Sequence, residues 1–155
     1  MIEINVISVG NVKEKYLQEL IADYKKRISK YALISLTELK DESNKINENI
    51  VKEIEGERIL SNIKDGFYVV LLDLQGVMLD SVEFSKKIDE ISTYYSSKIA
   101  FIIGGSFGVS EEVKKRADLK ISFSKMTFPH QLAKGILLEQ IYRSFKILKN
   151  ESYHK

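Results

Sequence analysis

Short apolar runs alternate with amphipathic stretches along this chain of 155 residues. Five runs have the length of a strand and are rich in β-branched and aromatic residues; they cover residues 2–9, 32–39, 68–74, 99–103 and 119–123. The third and fourth runs are almost uniformly apolar, which is typical of central strands in a parallel sheet that is covered on both faces. The pattern therefore predicts five strands, with the third and fourth in the interior of the sheet.

Amphipathic stretches between these runs predict helices. In the first stretch, apolar residues recur at helical spacing and form one stripe: Leu17, Leu20, Ile21, Tyr24 and Ile28. Further helices are predicted from Ile46 to about Lys64, over 84–95 behind an N-cap at Asp80, behind an N-cap at Ser110, and from Pro129 to about Lys149. Strands that alternate with helices indicate an α/β fold with a mainly parallel sheet and helices on both faces. No linker or repeat interrupts the pattern, so we expect residues 1–155 to form a single domain.

Composition restricts the chemistry. The chain has no Cys and two His, which excludes disulfides, thiolate nucleophiles and zinc–thiolate sites, and we expect no metal. No apolar run approaches the length of a membrane span, and the N-terminus lacks the pattern of a signal peptide. We therefore expect a cytoplasmic protein without a membrane partner.

The distribution of charge along the chain is more informative about binding partners than the net charge of +2. Residues 113–155 contain ten Lys or Arg against three acids, whereas residues 36–60 contain seven acids against four bases. Such asymmetry is typical of a basic face that binds a polyanion such as RNA, and a solvated Lys-rich surface would give the same pattern.

Three segments that follow predicted strands are candidates for a ligand site, because open α/β sheets bind ligands at the carboxyl ends of their strands. They are LDLQG at 72–76, GGSFG at 104–108 and FSKMTFPH at 123–130. Glycines let the backbone approach a ligand closely. In the third segment, Met126 and Phe128 offer apolar walls beside backbone polar groups, as an adenine ring requires. Each segment alone is equally typical of a tight turn or a packed core connection.

Together with EQIYR at 139–143 and YHK at 153–155, these segments resemble the RlmH-type methyltransferases of large-subunit ribosomal RNA, which belong to the SPOUT class. The resemblance extends over essentially the whole chain. It implies an α/β fold with a C-terminal trefoil knot, a rare topology. It also implies a homodimer that uses S-adenosylmethionine to methylate N3 of a pseudouridine in 23S rRNA, on assembled ribosomes.

The resemblance also assigns residues. A donor site in the knot, at the subunit interface, would be lined by Leu72, Gly104, Gly105, Phe123, Ser124, Lys125, Met126, Thr127 and Phe128. The reaction needs alignment of the acceptor nitrogen and removal of its proton, and no nucleophilic side chain.

The proposed acceptor residues are Arg143, Tyr153 and His154. His154 is the candidate base because histidine titrates near neutral pH. Arg143 would bind phosphate or an anionic base, and Tyr153 would stack on a base. The alternative for Arg143 is an ion pair with Glu139. The alternative for Tyr153 and His154 is a frayed, solvent-exposed tail, because we expect a tail this close to the C-terminus to be ordered only when a partner subunit holds it.

The sequence leaves the role of position 134 and the choice among three functions open. Lys134 stands where members of the family usually carry Arg; it keeps the positive charge and loses the bidentate geometry, so the resemblance does not decide whether it contacts RNA or cofactor. The function could also be that of a non-catalytic ribosome- or RNA-binding protein with the same fold, or of a SPOUT methyltransferase acting on tRNA.

Overall fold

The sheet has five strands, and every neighbouring pair is parallel. The computed structural model describes residues 1–42 and 47–155. The strands are β1 (Ile2–Val9), β2 (Ala32–Leu39), β3 (Tyr68–Met78), β4 (Lys98–Ile103) and β5 (Leu119–Ser122), in the spatial order β2-β1-β4-β3-β5. The predicted parallel sheet is thus confirmed, and the two most apolar runs, β3 and β4, are interior strands.

Five helices connect and follow the strands: α1 (Lys15–Ile28), α2 (Glu48–Ser61), α3 (Ser81–Tyr94), α4 (Glu111–Arg116) and α5 (His130–Leu148). Both predicted N-caps are confirmed: Asp80 forms a capping box with Glu83, and the Ser110 hydroxyl accepts a hydrogen bond from the backbone of Val113. Helix α2 ends earlier than predicted. Ile46, the predicted start of that helix, lies outside the described residues.

Helices cover both faces of the sheet, as predicted. Alternate residues of β1 point to opposite faces, so Ile4 packs in a cluster with α1, α3 and α5, whereas Ile7 packs with α2 and α4. Phe101 and Ile102 of β4 divide in the same way. The described residues contain no helix that is long and apolar enough to cross a membrane. The trefoil knot and the single domain stay predictions.

Strand β3 is longer and less regular than the sequence predicts. Its pairing with β5 shifts register between Leu72 and Val77, and residues 75–78, which lie beyond the predicted strand 68–74, are an irregular continuation of it. Gly76 permits this arrangement, because a Cβ at that position would lie 2.6 Å from the backbone nitrogen of Ile121. The predicted strand ended too early because the continued pairing depends on a close approach to a strand that is distant in sequence.

Lys134 is buried and forms an ion pair with a glutamate that is partly exposed. The Lys134 side chain is 2% exposed and that of Glu38, at the end of β2, is 39% exposed; the Lys134 Nζ lies 3.2 Å from Glu38 Oε2. Glu38 also accepts a hydrogen bond from the backbone of Val12. The ion pair joins α5 to the end of β2, and the buried ammonium offers no charge to RNA at the surface.

Glu38→Ala is therefore expected to lower the free energy of unfolding by about 1–2 kcal/mol, because it leaves the buried ammonium of Lys134 without its carboxylate partner, while solvent on the exposed side of the pair reduces the cost. The effect is measured by urea unfolding. Glu90→Ala is the control, since the surface pair of Lys87 and Glu90 should contribute less than about 1 kcal/mol. Equal effects of the two substitutions would show that water replaces Glu38 without cost.

Candidate functional site

A cavity of about 500 Å³ opens at the carboxyl edge of the sheet, between the ends of β3, β4 and β5 and the start of α5. This volume is in the range of small-molecule sites. Eight of the nine residues predicted to bind the methyl donor line it: Leu72, Gly104, Gly105, Phe123, Ser124, Met126, Thr127 and Phe128. The ninth, Lys125, is exposed and is not among the lining residues. Binding of the donor by these residues stays a prediction.

The glycine segment forms one wall of the cavity. After β4 ends at Ile103, a turn is closed by a hydrogen bond of 3.0 Å from the Gly108 nitrogen to the Gly105 oxygen. A Cβ on Gly105 would lie 2.7 Å from Oε1 of Glu55 and 3.2 Å from the Val9 side chain. Any larger residue at position 105 would therefore have to displace the end of the Glu55 side chain and crowd Val9.

The opposite wall is a loop without regular structure that connects β5 to α5. The Ser122 hydroxyl donates to the Ser124 carbonyl at 2.9 Å, and the Ser124 hydroxyl accepts from the Met126 nitrogen at 3.0 Å. Pro129 then starts α5. These bonds fix a short apolar wall with backbone polar groups, which suits a purine ring.

Charged side chains also reach the cavity, and sequence reasoning did not find all of them. Lys52 of α2 and Lys114 of α4 line it, as do Asp73 and His130, which lie in two of the segments singled out above. The Asp73 carboxylate accepts a hydrogen bond of 3.0 Å from the Gln75 nitrogen. Nothing in the sequence pattern marks Lys52, because it reaches the cavity only through the packing of α2 on the sheet.

Glu55 lies behind the glycine wall and is buried, with 4% of its surface exposed. Its Oε2 accepts a hydrogen bond of 2.9 Å from the Glu42 nitrogen, whereas its Oε1 has no partner within residues 1–42 and 47–155. The nearby Arg58 forms its ion pair with Glu42, at 3.2 Å. Burial raises the pKa of the Glu55 carboxyl above its ordinary value. The protein thus holds a carboxylate with one hydrogen bond and no ion pair against the wall of the cavity.

Glu55→Gln is expected to raise the melting temperature by a few degrees at pH 7.5, because it removes a buried charge. A carboxyl whose pKa is raised by folding binds its proton more tightly in the folded state. Stability is therefore lost as pH rises from the unfolded value towards the folded one. The difference between variant and wild type should shrink below about pH 4.5, where the carboxyl is protonated in both states. A pH-independent difference in thermal melts would contradict this.

The three predicted acceptor residues form a second cluster, at the end of α5. Arg143 pairs with Glu139 at 2.8 Å, and its Nη1 lies 3.1 Å from Nδ1 of His154. The guanidinium also lies over the Tyr153 ring, 4.7 Å from its centre. Since a guanidinium can only donate, His154 accepts through Nδ1 and carries its proton on Nε2. The ion pair with Glu139 and the contact with His154 exist together.

The C-terminal tail is held by its own chain. The Tyr153 hydroxyl donates to Glu139 at 2.8 Å and lies 3.4 Å from the Tyr24 hydroxyl, while its ring meets Tyr142 edge-on at 4.9 Å. The expectation that only a partner subunit could hold this tail is therefore wrong. Burial, followed by the hydrogen bonds with Tyr24 and Glu139, raises the pKa of Tyr153, so the phenol stays protonated and cannot serve as a base.

The cavity and the acceptor cluster lie at opposite ends of α5. His130, the first residue of the helix, lines the cavity, and Arg143 lies 13 residues further along. At 1.5 Å per residue, this separation is about 20 Å. None of the three acceptor residues is among those that line the cavity in the described part of the chain. That part also contains no group of three or more His, Asp or Glu placed to hold a metal ion.

Comparison with known proteins identifies the family of the chain. Residues 2–154 match the family described as "Predicted SPOUT methyltransferase". The chain belongs to the SPOUT methyltransferase family. Relatives of this SPOUT protein include two proteins named "Ribosomal RNA large subunit methyltransferase H". The one from Alkaliphilus oremlandii is 55% identical and the one from Clostridium kluyveri is 52% identical. Each alignment covers 98% of this chain and 99% of the relative.

Proposed function

We propose that this SPOUT methyltransferase transfers a methyl group from S-adenosylmethionine to N3 of a pseudouridine in 23S rRNA of the large ribosomal subunit. The observation that carries the proposal is the cavity at the carboxyl edge of the sheet, where eight predicted donor residues come together. Its apolar side chains, its backbone polar groups and its volume of about 500 Å³ fit a nucleoside with an amino-acid chain.

Three observations support the choice of acceptor. The relatives from Alkaliphilus oremlandii and Clostridium kluyveri are named as methyltransferases of large-subunit ribosomal RNA. The resemblance of the 139–143 and 153–155 segments to the RlmH type narrows the acceptor to N3 of pseudouridine. The excess of Lys and Arg over residues 113–155 is in keeping with an RNA substrate.

The acceptor cluster suggests how the proton of N3 is removed. When bound, S-adenosylmethionine supplies a methyl group that the sulfonium sulfur makes electrophilic. The Nδ1 lone pair of His154 is the acceptor for the N3 proton, once the N3–H group replaces Arg143 at that atom. Arg143 is then free to donate to the negative charge that develops on the ring, and Glu139 keeps its guanidinium in place.

The separation of about 20 Å along α5 supports a homodimer as the active form. In one chain, His154 and Arg143 cannot reach a methyl group held in the cavity. A second copy related by twofold symmetry can place its tail at the cavity of the first, which would give two equal sites. Each site would then combine the donor loops of one subunit with the acceptor cluster of the other.

The test incubates the protein with methyl-labelled S-adenosylmethionine and one of three substrates: ribosomes from cells that lack the enzyme, ribosomes whose rRNA lacks pseudouridine, or bulk tRNA. We expect label only on the first, in 23S rRNA. Methylation at N3 blocks base pairing, so a stop in reverse transcription locates the nucleotide. Label on tRNA would replace the proposed substrate, and binding to ribosomes without label on any RNA would favour a non-catalytic role.

A further inference from the structure

The charges around the cavity do not suit a cationic ligand at first sight. Lys52 and Lys114 contribute two ammonium groups, and Asp73 is the carboxylate among the described lining residues. S-adenosylmethionine carries a sulfonium charge that is absent from its product, S-adenosylhomocysteine. A site that binds the donor and releases the product benefits from a negative charge that acts on the sulfonium and not on the neutral thioether.

Glu55 has the position and the environment for this role. Its Oε1 faces Gly105, which lines the cavity, and only the glycine backbone separates the two. The carboxylate is buried and has neither an ion pair nor, on Oε1, a hydrogen bond within the described residues. Burial with this little compensation costs stability, and the fold does not require a charge here, because the single hydrogen bond that Glu55 accepts, from the Glu42 nitrogen, could equally be accepted by the amide oxygen of a glutamine.

We infer that Glu55 is the buried counter-charge of the donor site, which makes the cavity prefer a cationic occupant, S-adenosylmethionine, over its neutral product. This inference rests on the proposed function, since it assumes that the cavity holds the methyl donor. Through the thin glycine wall, the carboxylate acts in a medium of low dielectric constant, where a charge interacts more strongly than it does in water. The bound cation in turn stabilises the charged form of Glu55.

Asp73 is the other carboxylate that could attract the sulfonium, but its surroundings weaken that attraction. It is only half-buried, and its carboxylate already accepts the Gln75 nitrogen within its own turn. Water can solvate its charge, so its attraction for a cation in the cavity is screened. Glu55 is not screened in this way, and its field reaches the cavity at Gly105.

The consequence concerns product release. Methyl transfer moves the methyl group to N3, leaves the sulfur as a neutral thioether and moves the N3 proton to the base. The attraction of Glu55 for the ligand therefore falls at the moment the reaction is complete. The residue thus favours exchange of product for donor, without any contact with the acceptor.

The test measures affinities by calorimetry for three ligands: S-adenosylmethionine, S-adenosylhomocysteine and sinefungin, whose protonated amine stands where the methylsulfonium stands. Glu55→Gln should weaken binding of the two cations by about tenfold, which corresponds to about 1.4 kcal/mol, and binding of the neutral product by less than about twofold. Glu57→Gln, the same change at an exposed position of α2, should leave all three affinities unchanged.

Several results would overturn the inference. An equal loss for all three ligands would make Glu55 a support of the wall only, and a preference that disappears in Asp73→Asn but not in Glu55→Gln would assign the role to Asp73. If Glu55→Gln does not fold, Glu55→Met tests the same point with a neutral side chain of similar size. Failure of the wild-type protein to bind any of the three ligands would instead overturn the proposed function, and this inference with it.

Discussion

His154→Ala is expected to lower the rate constant of methyl transfer by about 10²–10⁴-fold, because it removes the group that accepts the N3 proton. The affinity for S-adenosylmethionine should not change, since the proposed role of His154 is to contact the acceptor nitrogen and not the donor. Single-turnover assays on ribosomes that lack the modification measure the first quantity, and calorimetry measures the second.

A substitution at a neighbouring position shows whether a loss of activity comes from loss of the base or from disturbance of the tail. Ser152 is exposed and lies two residues from His154, so Ser152→Ala should methylate at nearly the wild-type rate. If His154→Ala also retained that rate, the proton would have to leave by another route, and the assignment of the base would be wrong. Loss of donor binding in His154→Ala would place the histidine in the donor site instead.

Gly105→Leu is expected to weaken the binding of S-adenosylmethionine by about 10–100-fold, because overpacking of this kind costs about 1–3 kcal/mol. Its Cβ alone would meet Oε1 of Glu55 at 2.7 Å and the Val9 side chain at 3.2 Å, and the remaining three carbons of leucine add to this crowding, which is relieved by a shift of Glu55 or of the wall towards the cavity. The measurement is calorimetry on protein whose circular dichroism shows an intact fold.

Gly135→Ala provides the matched control. A Cβ at that position would meet only the flexible end of Leu20, at 2.8 Å, in the contact between α1 and α5. It should leave the affinity for the donor unchanged. An unaltered affinity in Gly105→Leu as well would remove Gly105 from the donor site.

The two variants together test whether each active site is shared between subunits. In a mixed dimer of Gly105→Leu and His154→Ala, one site would combine both defects and the other would combine neither. Random exchange of subunits makes half of the dimers mixed, so the activity of the mixture should return to about a quarter of the wild-type value. Sites contained in single subunits would leave the mixture inactive.

Local patterns determined most of the fold. The bounds of β1 and β2 agree with the sequence prediction, because β-branched runs of this length specify strands, and the Asp80 capping box specifies the start of α3. The strand β3 could not be placed to its end, because the pairing beyond Leu72 depends on how Gly76 meets Ile121.

The candidate site was predictable where its residues share a local motif. The residues of 104–108 and 123–128 could be chosen together because they follow strands and resemble family motifs. Lys52, which lines the cavity, and Glu55, which lies behind Gly105, could not, because the packing of α2 places them there and a charged residue on a helix ordinarily indicates a solvated face. The fixed tail was also unpredictable, since Tyr153 is held by Tyr24, which lies 129 residues away in the sequence.

Helix α5 begins at the donor cavity and carries the acceptor cluster near its other end, without interruption over 19 residues. It therefore fixes the distance between the cavity and the cluster of Arg143, Tyr153 and His154. One inserted residue would advance its far end by 1.5 Å and rotate Arg143 by about 100° relative to Pro129. If the cavity holds the methyl donor as proposed, the register of this helix sets the distance between the cavity and Arg143, and hence how the two subunits of the proposed homodimer would have to meet.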